Sequence, residues 1–296
     1  MLKRWLIVSG RNLTLSKLSA HVNNMALHHS VFALPFAYMG AFLATDGIPT
    51  WSNIIWITIA MIGARSAAMA LNNLIDLKYD KIHPRFTKRP MVTGEVKRWE
   101  AIALIIVSFL VFIVATLHLA PICVKVAPIA VFPFVIYPYM KRFTPYCHLV
   151  LGLALSMAPI GGWVAIKGEL SLPILCLGVA VAVWIAGFDV IYGCQDVAFD
   201  KEHGLNSMAT RFTVAGALKI AKLMHLLSII CFIAVGVLLN LASIYYIGVL
   251  IAILTLVYQH SIVSTDDLTR VTQVYFMRNG VVGISIFLFT FASLVM

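Results

Sequence analysis

The chain has 296 residues, of which 61% are hydrophobic and only 11% charged, with a formal charge of +10. That balance excludes an ordinary soluble domain, in which about a quarter of the residues are charged. It also argues against a nucleic-acid-binding surface, because the basic residues fall in short loops between apolar runs and do not gather on one soluble face.

Residues 1–28 carry Lys3, Arg4, Arg11 and Lys17 without a clean apolar core and a small-residue cleavage site. The amino terminus is therefore expected to be retained and cytoplasmic. Apolar stretches long enough to cross about 30 Å of hydrocarbon recur near 24–45, 51–75, 99–118, 121–140, 147–166, 171–194, 217–239, 241–260 and 277–296. They predict an all-α, multi-pass membrane bundle of about nine transmembrane helices around a central cavity, with 1–296 as one transmembrane domain. The segment 76–98 holds Lys78, Lys81, Arg85, Lys88, Arg89, Lys97 and Arg98, whereas the links near 46–50 and 239–242 hold no Lys or Arg. By the positive-inside rule the basic loop is cytoplasmic. Alternation then brings Lys141, Arg142, the loop 196–216 and the segment 261–278 to the same side, and sends the carboxyl terminus outside. The expected location is a bacterial inner (plasma) membrane. Cys123, Cys147, Cys176, Cys194 and Cys231 form no CxxC pair and read as buried small hydrophobes.

Two cytoplasmic loops share a pattern. Asp76-Leu-Lys-Tyr-Asp80-Lys81-Ile-His83 and Asp196-Val-Ala-Phe-Asp200-Lys201-Glu-His203 both read D-x-x-aromatic-D-K-x-H, 120 residues apart. Each follows an apolar span, as two pseudo-repeats of roughly 20–120 and 140–240 would leave them. Asn72, Asp76 and Asp80 are spaced by four, so in a helix successive members drift by about 40° and share a face. Asp189, Asp196 and Asp200 are spaced by seven and four, which in a continuous helix also keeps them on one face, with Tyr192 nearby. Asp189 lies within an apolar span, where an unpaired carboxylate is costly and marks a functional pathway.

Only 12 acidic residues occur in the chain, and five of them gather at two predicted cytoplasmic helix ends. A hard divalent cation suits them: magnesium takes oxygen ligands and keeps positions for water and phosphate oxygens. Arg85, Lys88, Arg89, Lys141, Arg142 and Lys201 lie at the same end, and a phosphate group needs such charge. His83 and His203 recur in both copies and read as interfacial groups. Intramembrane acids also occur in secondary transporters, but there they belong near the midplane, whereas here Asp189 alone is expected to lie within a span. Paired aspartates also mark membrane phosphatidyl-alcohol transferases, whose first aspartates stand closer together with a glycine after them, a pattern lacking here.

These residues resemble the UbiA superfamily of intramembrane aromatic prenyltransferases. The first motif of that family, N-D-x-x-D-x-x-x-D, is matched by Asn72-Asn73-Leu-Ile-Asp76-Leu-Lys-Tyr-Asp80 at every position but Asn73. Its second, D-x-x-Y-x-x-x-D-x-x-x-D, is matched fully by Asp189 through Tyr192 and Asp196 to Asp200. Further similarity covers His29 to Pro35, Arg89-Pro90 with Gly94, Tyr137 to Thr144, and Tyr258-Gln-His260 through Asn279. At Asn73 an amide replaces a carboxylate and supplies no charge. A menaquinone-synthesising branch departs at this position too, and Arg65 to Asn72 and Ser264 to Leu268 look similar to it.

The resemblance implies a polyprenyl diphosphate donor bound through two Mg2+ ions, its tail running between helices into the lipid bilayer. It implies an aromatic acid acceptor, 4-hydroxybenzoate for ubiquinone biosynthesis or alternatively 1,4-dihydroxy-6-naphthoate or a related naphthoate for menaquinone. No nucleic acid takes part. By position, the metal ligands expected are Asn72, Asp76, Asp80, Asp189, Asp196 and Asp200. Asp76, Asp189, Asp196, Tyr137 and Tyr192 are the catalytic candidates. Lys141, Arg85 and Lys201 are expected on the diphosphate, Arg89 positions the loop, and Arg65 and Asn279 are candidate partners for the acceptor carboxylate. Phe32, Phe36 and Tyr139 join Tyr137 and Tyr192 as rings that would favour a cation.

Overall fold

The computed structural model describes residues 17, 19–25, 27–269 and 271–296, with side chains for 17, 19–25, 34–269, 271 and 279–296. The cytoplasmic expectation for residues 1–16 and the ring of Phe32 lie outside the described residues. The described chain is helical throughout: α1 (Leu27–Thr45), α2 (Trp51–Asp80), α3 (Pro90–Thr93), α4 (Arg98–Thr116), α5 (Ile122–Met140), α6 (Cys147–Lys167), α7 (Leu172–Gly193), α8 (Val197–Glu202), α9 (Met208–Leu238), α10 (Ser243–Ser261) and α11 (Val271–Val295). Among the described residues nine of these helices have at least 19 residues. Seven helical segments pass a length and hydropathy test for crossing a membrane, and α1 and α11 add the apolar stretches Leu34–Thr45 and Asn279–Val295.

The apolar side chains confirm the solvent. On α4, Ile102, Ile106, Leu110 and Ile113 are exposed at helical spacing, and Leu226, Ile230, Ile233 and Val237 repeat this on α9. Such stripes belong against lipid. The interior is packed around Trp184, Phe232, Met39, Tyr245 and Leu177. Glycine permits a close crossing: a Cβ on Gly40 would lie 2.0 Å from the Pro159 carbonyl oxygen, and one on Gly162 would lie 2.0 Å from that of Ala37. Those two contacts let α1 and α6 touch backbone to backbone.

Two helix geometries position the functional end. α2 has 30 residues and a Thr50 side-chain cap on the Asn53 N–H. At 1.5 Å per residue it is about 45 Å long, roughly 15 Å more than the hydrocarbon needs. The sequence suggested a span ending near 75, and the extra turns to Asp80 are the ones that carry Asp76 and Asp80. At the end of α7 the helix does not continue: Cys194–Asp196 form a 3-10 turn before α8 starts. α9 also begins earlier than the predicted span near 217, at Met208. Its backbone breaks at Phe212 and Thr213 (φ 64°), where the Thr213 hydroxyl caps the Gly216 N–H.

Candidate active site

The end of α2 and the α8 region meet around a small polar cavity of about 50 Å3. Asp76 and Asp80 line it from α2, Asp196 and Asp200 from the 3-10 turn and α8, and Lys141 and Arg142 from the end of α5. Tyr79, His83, Phe86 and Phe199 complete its walls. Four of the carboxylates expected as metal ligands thus come together. Asn72 and Asp189 are not among the lining residues.

Basic groups hold most of these carboxylates. Arg85 Nη1 donates to Asp196 Oδ1 at 2.5 Å, and Arg89 Nη1 donates to Asp80 Oδ2 at 2.5 Å. Arg142 Nη2 lies 3.8 Å from Asp76 Oδ1 while donating to the Ile75 carbonyl at 2.9 Å. The guanidinium of Arg89 sits over Phe86 at 3.9 Å and that of Arg85 over Tyr192 at 4.7 Å. These rings fix the arginines in orientation as well as charge. Asp200 differs: it is 1% exposed, and its Oδ2 has no hydrogen-bond partner. A buried carboxylate oxygen without a donor is costly unless a cation meets it.

His83 crosses from the first sequence copy to the second. Its Nδ1 accepts the Arg85 backbone N–H at 3.2 Å, so in the neutral ring the proton is on Nε2, 3.3 Å from Asp196 Oδ1. Burial lowers its pKa, Asp196 opposes that, and Arg85 adds to it, leaving a net downward direction. The ring also contacts Phe86 and Phe199. His203 does something else: its Nδ1 donates to the Phe199 carbonyl of its own helix. Lys141 is held by its backbone, whose carbonyl accepts from the Asn206 N–H at 2.7 Å and from Asn206 Nδ2 at 3.3 Å. Burial disfavours its charge, but Asp200 and Asp189 outweigh that and keep its pKa above the ordinary lysine value.

Other expectations fall elsewhere. Asp189 Oδ2 accepts from His148 Nδ1 at 2.7 Å, and His148 is 1% exposed. Sequence reasoning missed that partner; a histidine in an apolar span, opposite an equally unexpected aspartate, was the available signal. Lys201 is exposed, and Asn279 is buried on α11 away from the cavity lining. Tyr137 lies within electrostatic reach of Asp189, Asp76 and Arg65.

A second, apolar cavity of about 370 Å3 runs between α1, α2, α4, α5 and α6, with Arg65 as one of its few polar walls. Arg65 Nε is buried without a hydrogen-bond partner. On α5 the two cavities approach within one turn, Phe134 lining the apolar one and Pro138 the polar one, with Tyr137 between them. The donor set suits a divalent cation. It consists of hard carboxylate oxygens, one of them orphaned, and the arginines occupy oxygens for which an ion would compete. Among the described residues, no group of three His, Cys, Asp or Glu is gathered closely enough to hold an ion as the side chains now stand.

The arrangement has known relatives. A solved UbiA homologue from Aeropyrum pernix K1 superposes with a TM-score of 0.80 at 32% identity, covering 88% of this chain and 98% of that one. A UbiA homologue from Archaeoglobus fulgidus, bound to GPP and Mg2+, shares the fold at a TM-score of 0.73 and 20% identity, covering 94% of this chain and all of that one. The 4-hydroxybenzoate octaprenyltransferase of Marinobacter nauticus is 31% identical over 85% of this chain and 85% of its own length. That of Vibrio campbellii is 31% identical over 82% and 85%. With the UbiA prenyltransferase family matching residues 33–281, across both carboxylate motifs and the helices that carry them, the chain belongs to that family.

Proposed function

We propose that this enzyme transfers a polyprenyl group from polyprenyl diphosphate to 4-hydroxybenzoate, in ubiquinone biosynthesis. Its location is a bacterial inner membrane, with the polar cavity on the cytoplasmic side. One observation carries the reading: four carboxylates from two distant stretches share a cavity with Lys141 and Arg142, one helical turn from a large apolar cavity. The curated relatives named as 4-hydroxybenzoate octaprenyltransferases support the acceptor.

Asp76, Asp80, Asp196 and Asp200 would hold two Mg2+ ions together with the diphosphate. When bound, the ions supply positive charge that stabilises the departing diphosphate. Lys141, Arg142, Arg85 and Arg89 add cationic donors at the same mouth, and the apolar cavity takes the start of the isoprenoid tail. The allylic carbon–oxygen bond breaks with its electron pair leaving on the diphosphate. Tyr137, on the turn of α5 between the two cavities, offers a ring face to the allylic cation, while the Tyr192 ring carries the Arg85 guanidinium. The aromatic acceptor forms the new carbon–carbon bond ortho to its hydroxyl, and the ring proton is lost to solvent. Arg65, a buried guanidinium with an unused donor, matches the acceptor's carboxylate. A second acceptor, a dihydroxynaphthoate, is favoured by Asn73 and the stretch from Arg65 to Asn72.

Purified protein in lipid nanodiscs, given labelled polyprenyl diphosphate and each acceptor separately, tests this by product mass. Magnesium-dependent prenylated 4-hydroxybenzoate is expected. Product from the naphthoate alone would transfer the assignment to the second acceptor, and product from neither would overturn the reading.

A further inference from the structure

Asn73 stands where the family's first motif carries aspartate, and its side chain does not line the carboxylate cavity. Its Nδ2 donates to the backbone carbonyl of Asn24 at 2.8 Å and to Asn24 Oδ1 at 3.1 Å. Both acceptors are oxygens, and the carbonyl can only accept, so the amide must face them with its NH2. Asn73 is 6% exposed and Asn24 is 1% exposed. The contact links segments 49 residues apart.

The segment that receives this bond is helical over 19–24. Lys17, Ala20 and Asn24 are spaced by three and four, which sets them on one helical face. Each has a partner. Lys17 Nζ meets Glu100 Oε1 at 3.0 Å, and Glu100 Oε2 also accepts the Lys97 N–H at the start of α4. Ala20 packs in a buried cluster with Leu77, Met91, Val96 and Ala101. Met91 lies in α3, which starts directly after Arg89, and the Arg89 guanidinium holds Asp80. The face therefore spans α2, the basic loop and α4.

We infer that Asn73 is a positioning residue, whose amide latches the segment 19–25 onto α2 and so braces the basic loop that delivers Arg85 and Arg89 to the carboxylates. It contributes no ligand to the cavity. An aspartate here would turn two donated bonds into a buried carboxylate facing two acceptor oxygens, so restoring the family's usual residue breaks the latch. The functional consequence rests on the proposed reading of the cavity; the latch itself does not.

The test uses full-length protein in nanodiscs and follows tryptic cleavage after Lys17 by intact mass, which requires no turnover. N73D is expected to cleave about tenfold faster than the parent. N24A, which loses the side-chain acceptor and keeps the carbonyl, is expected to cleave about threefold faster. Cleavage of N73D within twofold of the parent overturns the inference, as does faster cleavage in N73D with no change in N24A. Should N73D fail to give a monodisperse protein, N24A alone decides by the same measure. In the transfer assay N73D is expected to raise the KM for polyprenyl diphosphate several-fold without tightening the magnesium dependence. A lower half-saturating magnesium concentration would mean that the new carboxylate has joined the cavity, and would overturn the inference. Absence of turnover in the parent would count against the proposed reaction alone, because the cleavage result stands separately.

Discussion

The two copies of the D-x-x-aromatic-D-K-x-H pattern look alike in sequence and are used differently in space. In the first, α2 runs unbroken to Asp80, and Asp76 and Asp80 both line the polar cavity. In the second, the 3-10 turn at Cys194–Asp196 interrupts the helix. A 3-10 residue turns about 120° where an α-helical residue turns about 100°, so three of them add roughly 60°. Asp189 consequently stands about 80° from Asp200, where a continuous helix would leave about 20°, and it pairs with His148, while Asp196 and Asp200 reach the cavity. A residue spacing predicts a shared face only for as long as the helix that carries it continues.

The sharpest way to break this contrast is to neutralise one aspartate from each side of the turn. Asp196→Asn removes a charge that faces both Arg85 and His83, and it is expected to lower kcat/KM about a thousandfold, on the order of 4 kcal/mol. Asp189→Asn keeps a side chain able to accept from His148 and is expected to cost about thirtyfold. Product formation by membranes normalised for inserted protein measures both. Equal losses would mean that Asp189 works in the cavity after all, and that the turn does not separate their roles.

Arg85 and Arg89 extend the contrast to the basic loop, since each grips one copy: Arg85 the second through Asp196, Arg89 the first through Asp80. A charge-assisted hydrogen bond contributes roughly 1.5–3 kcal/mol, so Arg85→Ala is expected to raise the KM for polyprenyl diphosphate about tenfold. Arg89→Ala should do the same. Steady-state kinetics at saturating acceptor would show whether the two grips are equivalent; an unchanged KM in either variant would assign that arginine to folding of the loop alone.

Much of this was legible in the chain. Apolar runs gave the nine long helices among the described residues because a bilayer demands continuous apolar segments, and the spacing of Asp76 and Asp80 gave their common face because α2 has no break. Three features were hidden for physical reasons. The 3-10 turn leaves no composition signal in Gly193 to Val197. The pairing of Asp189 with His148 depends on how α6 packs on α7, which periodicity does not encode. Asn73 looked like a weakened ligand because a motif aligns positions along one helix, whereas its partner, Asn24, comes from 49 residues earlier.

The smallest expected difference concerns the histidines. His83 and His203 occupy the same place in the pattern, yet His83 lies beyond the end of α2 and bridges to Asp196 and Phe199, whereas His203 ends α8 and bonds the Phe199 carbonyl within its own helix. His83→Ala removes an imidazole nitrogen 3.3 Å from a cavity carboxylate together with its contacts to Phe86 and Phe199, about 1 kcal/mol in all, and should reduce kcat/KM about fivefold. His203→Ala deletes a bond that the helix end can replace with water, and should stay within twofold of the parent. The ratio of the two variants, taken in one membrane preparation, cancels differences in insertion. A ratio near one would mean that the second copy's histidine is as important as the first, and the asymmetry would then stop at the aspartates.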